Sequence, residues 1–134
     1  MTELPSCYFA HHVTDYNTLR EQEAISTIER HGLVVVNPND PAHEIAYKEH
    51  GMAYFLGLVA TCDTLAFQRF SSGEVGAGVG KEIAAALEHT LPVFEIVDDQ
   101  LVELDDVEVN SVIDSALSVD ATRALIAHIR AAPA

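Results

Sequence analysis

The segment Gly76-Ala77-Gly78-Val79-Gly80-Lys81-Glu82-Ile83 is the part of this sequence best suited to chemistry. Glycine at every second position lets the backbone come close to a ligand. The helix expected over residues 81–88 would direct its free N–H groups at whatever lies there. A phosphate or another oxygen-rich group suits such a turn. It is not a Walker A loop, because no Gly-Lys-Ser/Thr follows. It is not a first-strand dinucleotide fingerprint either, because it follows the third expected strand. Glu82 falls in the first turn of the expected helix. There the helix dipole and nearby amides favour its ionised form. An ionised carboxylate facing a ligand can attack an electrophilic sugar carbon. The same residues also fit a plain strand-to-helix turn carrying an acidic residue for dipole reasons alone.

Other residues offer weaker chemistry. His11-His12 supplies two imidazoles suited to general acid work or metal ligation, but no third ligand stands at a recognisable spacing. Contact with substrate or solvent is the reading favoured for them. Asn37 and Asp40 follow the second expected strand, where a ribose hydroxyl would fit, and they equally suit a turn and a helix cap. Ser71 and Ser72 suit a phosphate or water. Arg20 stands near the same rim, where it would meet a phosphate or solvent.

Elements must bring these residues together. Cys7-Tyr8-Phe9-Ala10 is a short apolar run of the buried-strand type. Residues 18–31 read as a helix, with Thr18 and Glu21 as a capping box, Ala24, Ile25 and Ile28 as the inner stripe, and Gly32 beyond its end. Leu33-Val34-Val35-Val36 suits a parallel strand covered on both faces. Asp40-Pro41 is a helix start, and residues 42–61 are helical with a break at Gly51. Residues 64–67 and 92–97 read as the third and fourth strands. Asp98-Asp99 turns the chain into residues 101–104 as a hairpin, and residues 105–117 are ambiguous. Ser118 suits the cap of a last helix with Leu125, Ile126 and Ile129 on one face. Strands alternating with helices imply one α/β domain over residues 1–134. The expected architecture is a three-layer, Rossmann-like (flavodoxin-like) parallel sheet with helices on both faces. Ligands in such folds bind at the carboxyl ends of the strands. That rim gathers residues 10–16, 37–40 and 70–82.

Tyr8-Phe9-Ala10, Cys62-Asp63 and Gly78-Val79-Gly80-Lys81-Glu82-Ile83, in this element order, resemble the nucleoside 2-deoxyribosyltransferase superfamily, which includes deoxynucleoside-monophosphate N-glycosidases. The resemblance spans residues 7–96. It implies that Glu82 is a nucleophile, that Tyr8 orients it, and that an N-glycosidic bond breaks through a glycosyl-enzyme intermediate. The substrate would be a nucleoside or nucleotide, with Ala10, His11, Asn37, Glu74, Gly78 and Gly80 as its contacts. No cofactor or metal is implied. The alternative is a nucleotide-sensing module of the same fold. Three departures stand out. His11 and His12 occupy positions that are small or glycine in the superfamily. Phe55 takes the place of a base-contacting aspartate. Gly76 holds the spacing of a second acidic residue, with Glu74 two residues earlier.

Composition narrows the partners. The 134 residues include 21 acidic and 7 basic ones, giving a formal charge of -14. Such a field repels phosphate backbones, so a nucleic-acid polymer is a poor partner. With 49% apolar residues the chain is rich enough for a packed core rather than disorder. No apolar run approaches a membrane span. Residues 1–6 have neither the basic nor the apolar region of a secretory leader. Cys7 and Cys62 read as reduced core thiols, which suits a cytoplasmic protein. Acidity with only two lysines, Lys48 and Lys81, fits either a halophilic protein or an ordinary acidic one. The apolar stretch of residues 52–59 suggests a homo-oligomer, most simply a dimer.

Overall fold

Five strands form one sheet in the order β2-β1-β3-β4-β5. The computed structural model describes residues 4–132; Met1, Thr2 and Glu3, half of the segment read for a leader, lie outside the described residues. β1 (Ser6–Ala10), β2 (Val34–Val36), β3 (Thr64–Phe67) and β4 (Val93–Val97) run parallel, with Tyr8 beside Val36 on one side and Leu65 on the other. β5 (Gln100–Leu104) runs antiparallel to β4. The sheet is therefore mostly parallel, with one antiparallel edge. The hairpin turns on Asp98 and Asp99, both with positive φ (48° and 62°). This is the left-handed pair that a two-residue hairpin needs to match strand twist.

Period-two alternation divides the central strands between two cores. Cys7, Phe9 and Ala66 pack with Ala24 and Ile28 of α1 (Leu19–Arg30). Tyr8, Ala10, Leu65 and Phe67 face the other way, against α3 (Met52–Ala60), α4 (Ala77–Glu88) and α5 (Asp106–Ser115). Helices thus cover both faces, as the alternating pattern requires. The edge strand β2 departs from expectation. Its run of valines is only partly covered, and Val34 is half exposed.

Local signals account for most element ends. The Thr18 side chain accepts the Glu21 amide at the start of α1, and Gly32 follows its end with φ 77°. Asp40 caps a 3-10 turn (Pro41–His43) that leads into α2 (Glu44–His50). Gly51, at φ 64° and ψ -149°, separates α2 from α3 in a conformation few other residues adopt. α5 occupies the ambiguous region and opens with a full capping box between Asp105 and Glu108. Ser118 caps α6 (Val119–Ala131), none of whose residues is buried. Among the described residues, no helix is long and apolar enough to cross a membrane.

α4 corrects the expectation that residues 71–80 form a loop. The helix starts at Ala77, so Gly78 and Gly80 lie inside it. Packing explains the early start. A Cβ on Gly80 would stand 2.7 Å from the Ala116 side chain, so glycine permits the close approach of α4 to the segment after α5.

Candidate functional site

A cavity of about 600 Å³ opens at the carboxyl ends of β1 and β2 and reaches the first turns of α4. It lies where strand order reverses about β1, the usual ligand position in open α/β sheets. The rim behind β1 supplies Tyr16 and Asn17, the rim behind β2 supplies Asn39 and Asp40, and α6 closes one side with Thr122 and Ile126. Glu82 forms part of the wall.

Glu82 sits in the second turn of α4 rather than the first, because the helix begins five residues before it. It is 5% exposed. Burial pushes its carboxyl up to about 8, against the opposing hydrogen bond from Tyr8. The expectation that the helix start holds Glu82 ionised is thus corrected: burial favours its protonated form at neutral pH. The Tyr8 hydroxyl donates to Glu82 Oε2 from the central strand. Burial, followed by the Glu82 charge, raises the Tyr8 pKa, so the phenol stays a donor. Burial also raises the Tyr16 pKa, with the Glu82 charge as the next cause, and both residues line the cavity.

The start of α4 is already partly occupied by the protein. The Gly76 amide donates to His12 Nε2 at 3.0 Å, and the Ala77 amide donates to Thr122 Oγ1 at 2.9 Å. The Gly78 and Val79 amides have no acceptor among the described residues, and both residues border the cavity. Because His12 Nε2 accepts, the proton of the neutral ring resides on Nδ1. Burial pulls the His12 pKa down to about 3, so the ring is neutral at physiological pH. It stacks on Phe70 with centroids 3.6 Å apart.

No protein-family model and no curated protein matches the chain.

The expected contacts divide sharply. Gly78 borders the cavity, and a Cβ there would meet only Met52, at 3.9 Å. His11 also borders it, but its imidazole is wholly buried and turned toward Glu21 and the Phe9 carbonyl. It offers a ligand no free nitrogen. Ala10 is a core residue whose carbonyl accepts the Gln68 amide. Asn37 Oδ1 accepts the Asn39 amide at 2.9 Å, which makes it a turn residue. Glu74 is exposed and away from the cavity, and Gly80 serves the packing against Ala116. Arg20 is held by Asp15 at 2.6 Å and by the Arg69 carbonyl at 2.8 Å, not aimed at a ligand. Phe55 does line the cavity, so its wall is aromatic where the resemblance leads one to expect an aspartate.

Several lining residues escaped the sequence reading. Tyr16 and Asn39 lay inside the rim segments without a signal of their own. Thr122 and Ile126 were invisible as site residues, because nothing local says where α6 docks. Among the described residues, no lysine or arginine lines the cavity, and no three histidine, cysteine or acidic side chains stand together as a metal site. Cys7 and Cys62 are free and buried.

Proposed function

We propose that this protein cleaves or transfers the N-glycosidic bond of a nucleoside or nucleotide, with Glu82 as nucleophile and Tyr8 as its orienting partner. The observation that carries this is the buried Tyr8–Glu82 hydrogen bond at the wall of a ligand-sized cavity. The resemblance to nucleoside 2-deoxyribosyltransferases adds the reaction class. Ionised Glu82 attacks the anomeric carbon, and the C–N bond breaks. The base departs with the electron pair and gains a proton. Water, or a second base, then attacks the same carbon and frees the carboxylate. Asn17, Asn39 and Asp40 offer hydrogen bonds to sugar hydroxyls, while Phe55 and Tyr47 offer ring faces to a base.

A second function is favoured by one observation. A carboxyl raised to about 8 is a poor resident nucleophile at neutral pH, which suits a module that binds a nucleotide without turning it over. One experiment separates the two: incubation with a panel of nucleosides and nucleotides, chromatography for released base, and mass spectrometry after treatment with a 2-fluoro sugar analogue. Base release with a label on Glu82 supports the enzyme. Tight binding without release supports the sensor.

The assembly and location proposed here are a cytoplasmic homodimer or larger homo-oligomer. Support for assembly comes from α2, where Ile45 is 72% exposed and Tyr47, which lines the cavity, 48% exposed. Light scattering in high salt should give at least twice the chain mass.

A further inference from the structure

The cavity wall is acidic and aromatic at once. Asp40, Glu44 and Glu82 line it, and among the described residues no lysine or arginine does. Lys48 reaches Glu44 at 3.1 Å but is not part of the wall. Tyr16, Tyr47 and Phe55 add rings, the last two neighbours with centroids 5.0 Å apart. Glu82 is 5% exposed, and its Oε2 is engaged by the Tyr8 hydroxyl. Its Oε1 has no donor among the described residues, so a buried carboxyl brings one unmatched oxygen to the cavity. A delocalised cation suits such a wall, because ring faces attract it through their quadrupole and carboxylates through their charge. A neutral or anionic ligand gains neither. The cation also offsets the burial that keeps a proton on Glu82.

The means of releasing a base point the same way. A neutral base leaving a sugar needs a proton. His11 is turned toward Glu21 and the Phe9 carbonyl, His12 Nε2 accepts the Gly76 amide, and burial shifts both rings toward the neutral form. Burial holds the protons of Tyr8 and Tyr16 tightly as well. A base that is already cationic at its glycosidic nitrogen leaves without any proton. We infer that the cavity is built for a nucleoside whose base is a cationic, pyridinium-type ring, with Tyr47 and Phe55 receiving the ring and Glu82 the sugar. This rests on the proposed function and names its substrate class. A Glu82 carboxylate oxygen bonds to the anomeric carbon, and the C–N electron pair returns to the ring nitrogen and cancels its charge. Water then attacks the same carbon, freeing the sugar and the carboxylate and releasing one proton to solution.

The test pairs binding with cleavage at pH 9, above the value near 8 at which Glu82 gives up its proton. Binding uses two rings that differ by one methyl group and one charge, 1-methylnicotinamide and nicotinamide, titrated into the protein and followed by NMR. The cation should bind roughly 10- to 100-fold more tightly. In Glu82→Gln, which keeps the shape, that margin should shrink by about tenfold. Cleavage uses nicotinamide riboside and 2′-deoxyadenosine, with chromatography for the released base, and nicotinamide should be freed. Absent or equal binding of the two rings, or a margin undiminished in Glu82→Gln, would overturn the inference even where 2′-deoxyadenosine is cleaved. Adenine released from 2′-deoxyadenosine with no nicotinamide from its riboside would overturn the substrate class and leave the glycosidic reaction standing. A cation margin that depends on Glu82, with no base released from either nucleoside, would support the cation site and count against the reaction.

Discussion

Glutamine at position 82 should make this protein more stable, and the gain should depend on pH. The Glu82 carboxyl titrates near 4.5 in an unfolded chain and near 8 in the buried site. Below pH 4.5 both states carry the proton, and Glu82→Gln is nearly neutral, since glutamine keeps the shape and an acceptor for Tyr8. Above that pH the unfolded carboxyl ionises while the folded one does not. Folding then takes up a proton, and the wild type loses about 1.4 kcal/mol per pH unit until the folded group ionises as well. Across the whole window the loss approaches about 5 kcal/mol as an upper limit, and roughly 2–5 kcal/mol once water penetration and relaxation are allowed for. Urea or thermal denaturation of both proteins at pH 5 and pH 8.5 measures it. At about 4 °C per kcal/mol, the variant should melt well above the wild type at pH 8.5 and within a few degrees of it at pH 5. The strong acidity of the remainder of the chain is common to both proteins and cancels. A gap of equal size at the two pH values would refute the reasoning, because Glu82 would then not be holding a proton that the unfolded chain releases.

Other perturbations test neighbouring parts of the structure. If turnover is found, kcat/KM should rise about tenfold per pH unit below pH 8 and level off above it, because only ionised Glu82 attacks; a flat profile over pH 6 to 8 would remove Glu82 from that step. Tyr8→Phe should slow turnover roughly 10- to 100-fold, the equivalent of one hydrogen bond to a charged group, and less than Glu82→Gln does. Gly80→Ala should lower stability by about 1–2 kcal/mol, overpacking against Ala116 outweighing the better helix former. Adding Ala116→Gly should recover most of that loss in the same melts. With a formal charge of -14, melting temperature should climb from dilute buffer to molar potassium chloride; a flat profile would reject adaptation to high salt.

Much of the fold is written locally, and the misreadings share one origin. The apolar runs that became β1, β3 and β4, the Thr18, Asp40 and Ser118 caps and the Gly51 break all act through residues near in sequence. The start of α4 does not. Gly78 and Gly80 read as helix breakers until Ala116, 36 residues beyond Gly80, packs against the backbone. Misplacing that start also put Glu82 one turn too early and gave it a dipole-held charge instead of a buried proton. The capping box at Asp105 and Glu108 was present in the sequence of the ambiguous region and would have settled its type. His11 and His12 were legible in principle. Alternation from Tyr8 sends His12 to the Tyr8 face of the sheet and His11 to the opposite one, toward α1. The Thr122 contact to Ala77 depends on how α6 docks, and nothing in that helix announces it.

The Tyr8–Glu82 pair is built on a central strand and an interior helical turn, whereas the polar groups offered to a ligand come from outer connections such as Asn17, Asn39 and Asp40. Under the proposed function, bond-making equipment and selectivity would therefore be inherited separately. Drift in the connections behind β1 and β2 would then retarget the cavity without disturbing the buried Tyr8–Glu82 pair. A change at Tyr8, Val79 or Ile83, each buried in the main core, puts the fold and the proposed chemistry at risk together. A laboratory library meant to alter preference belongs in those outer connections and the exposed face of α2, with the sheet and α4 left intact.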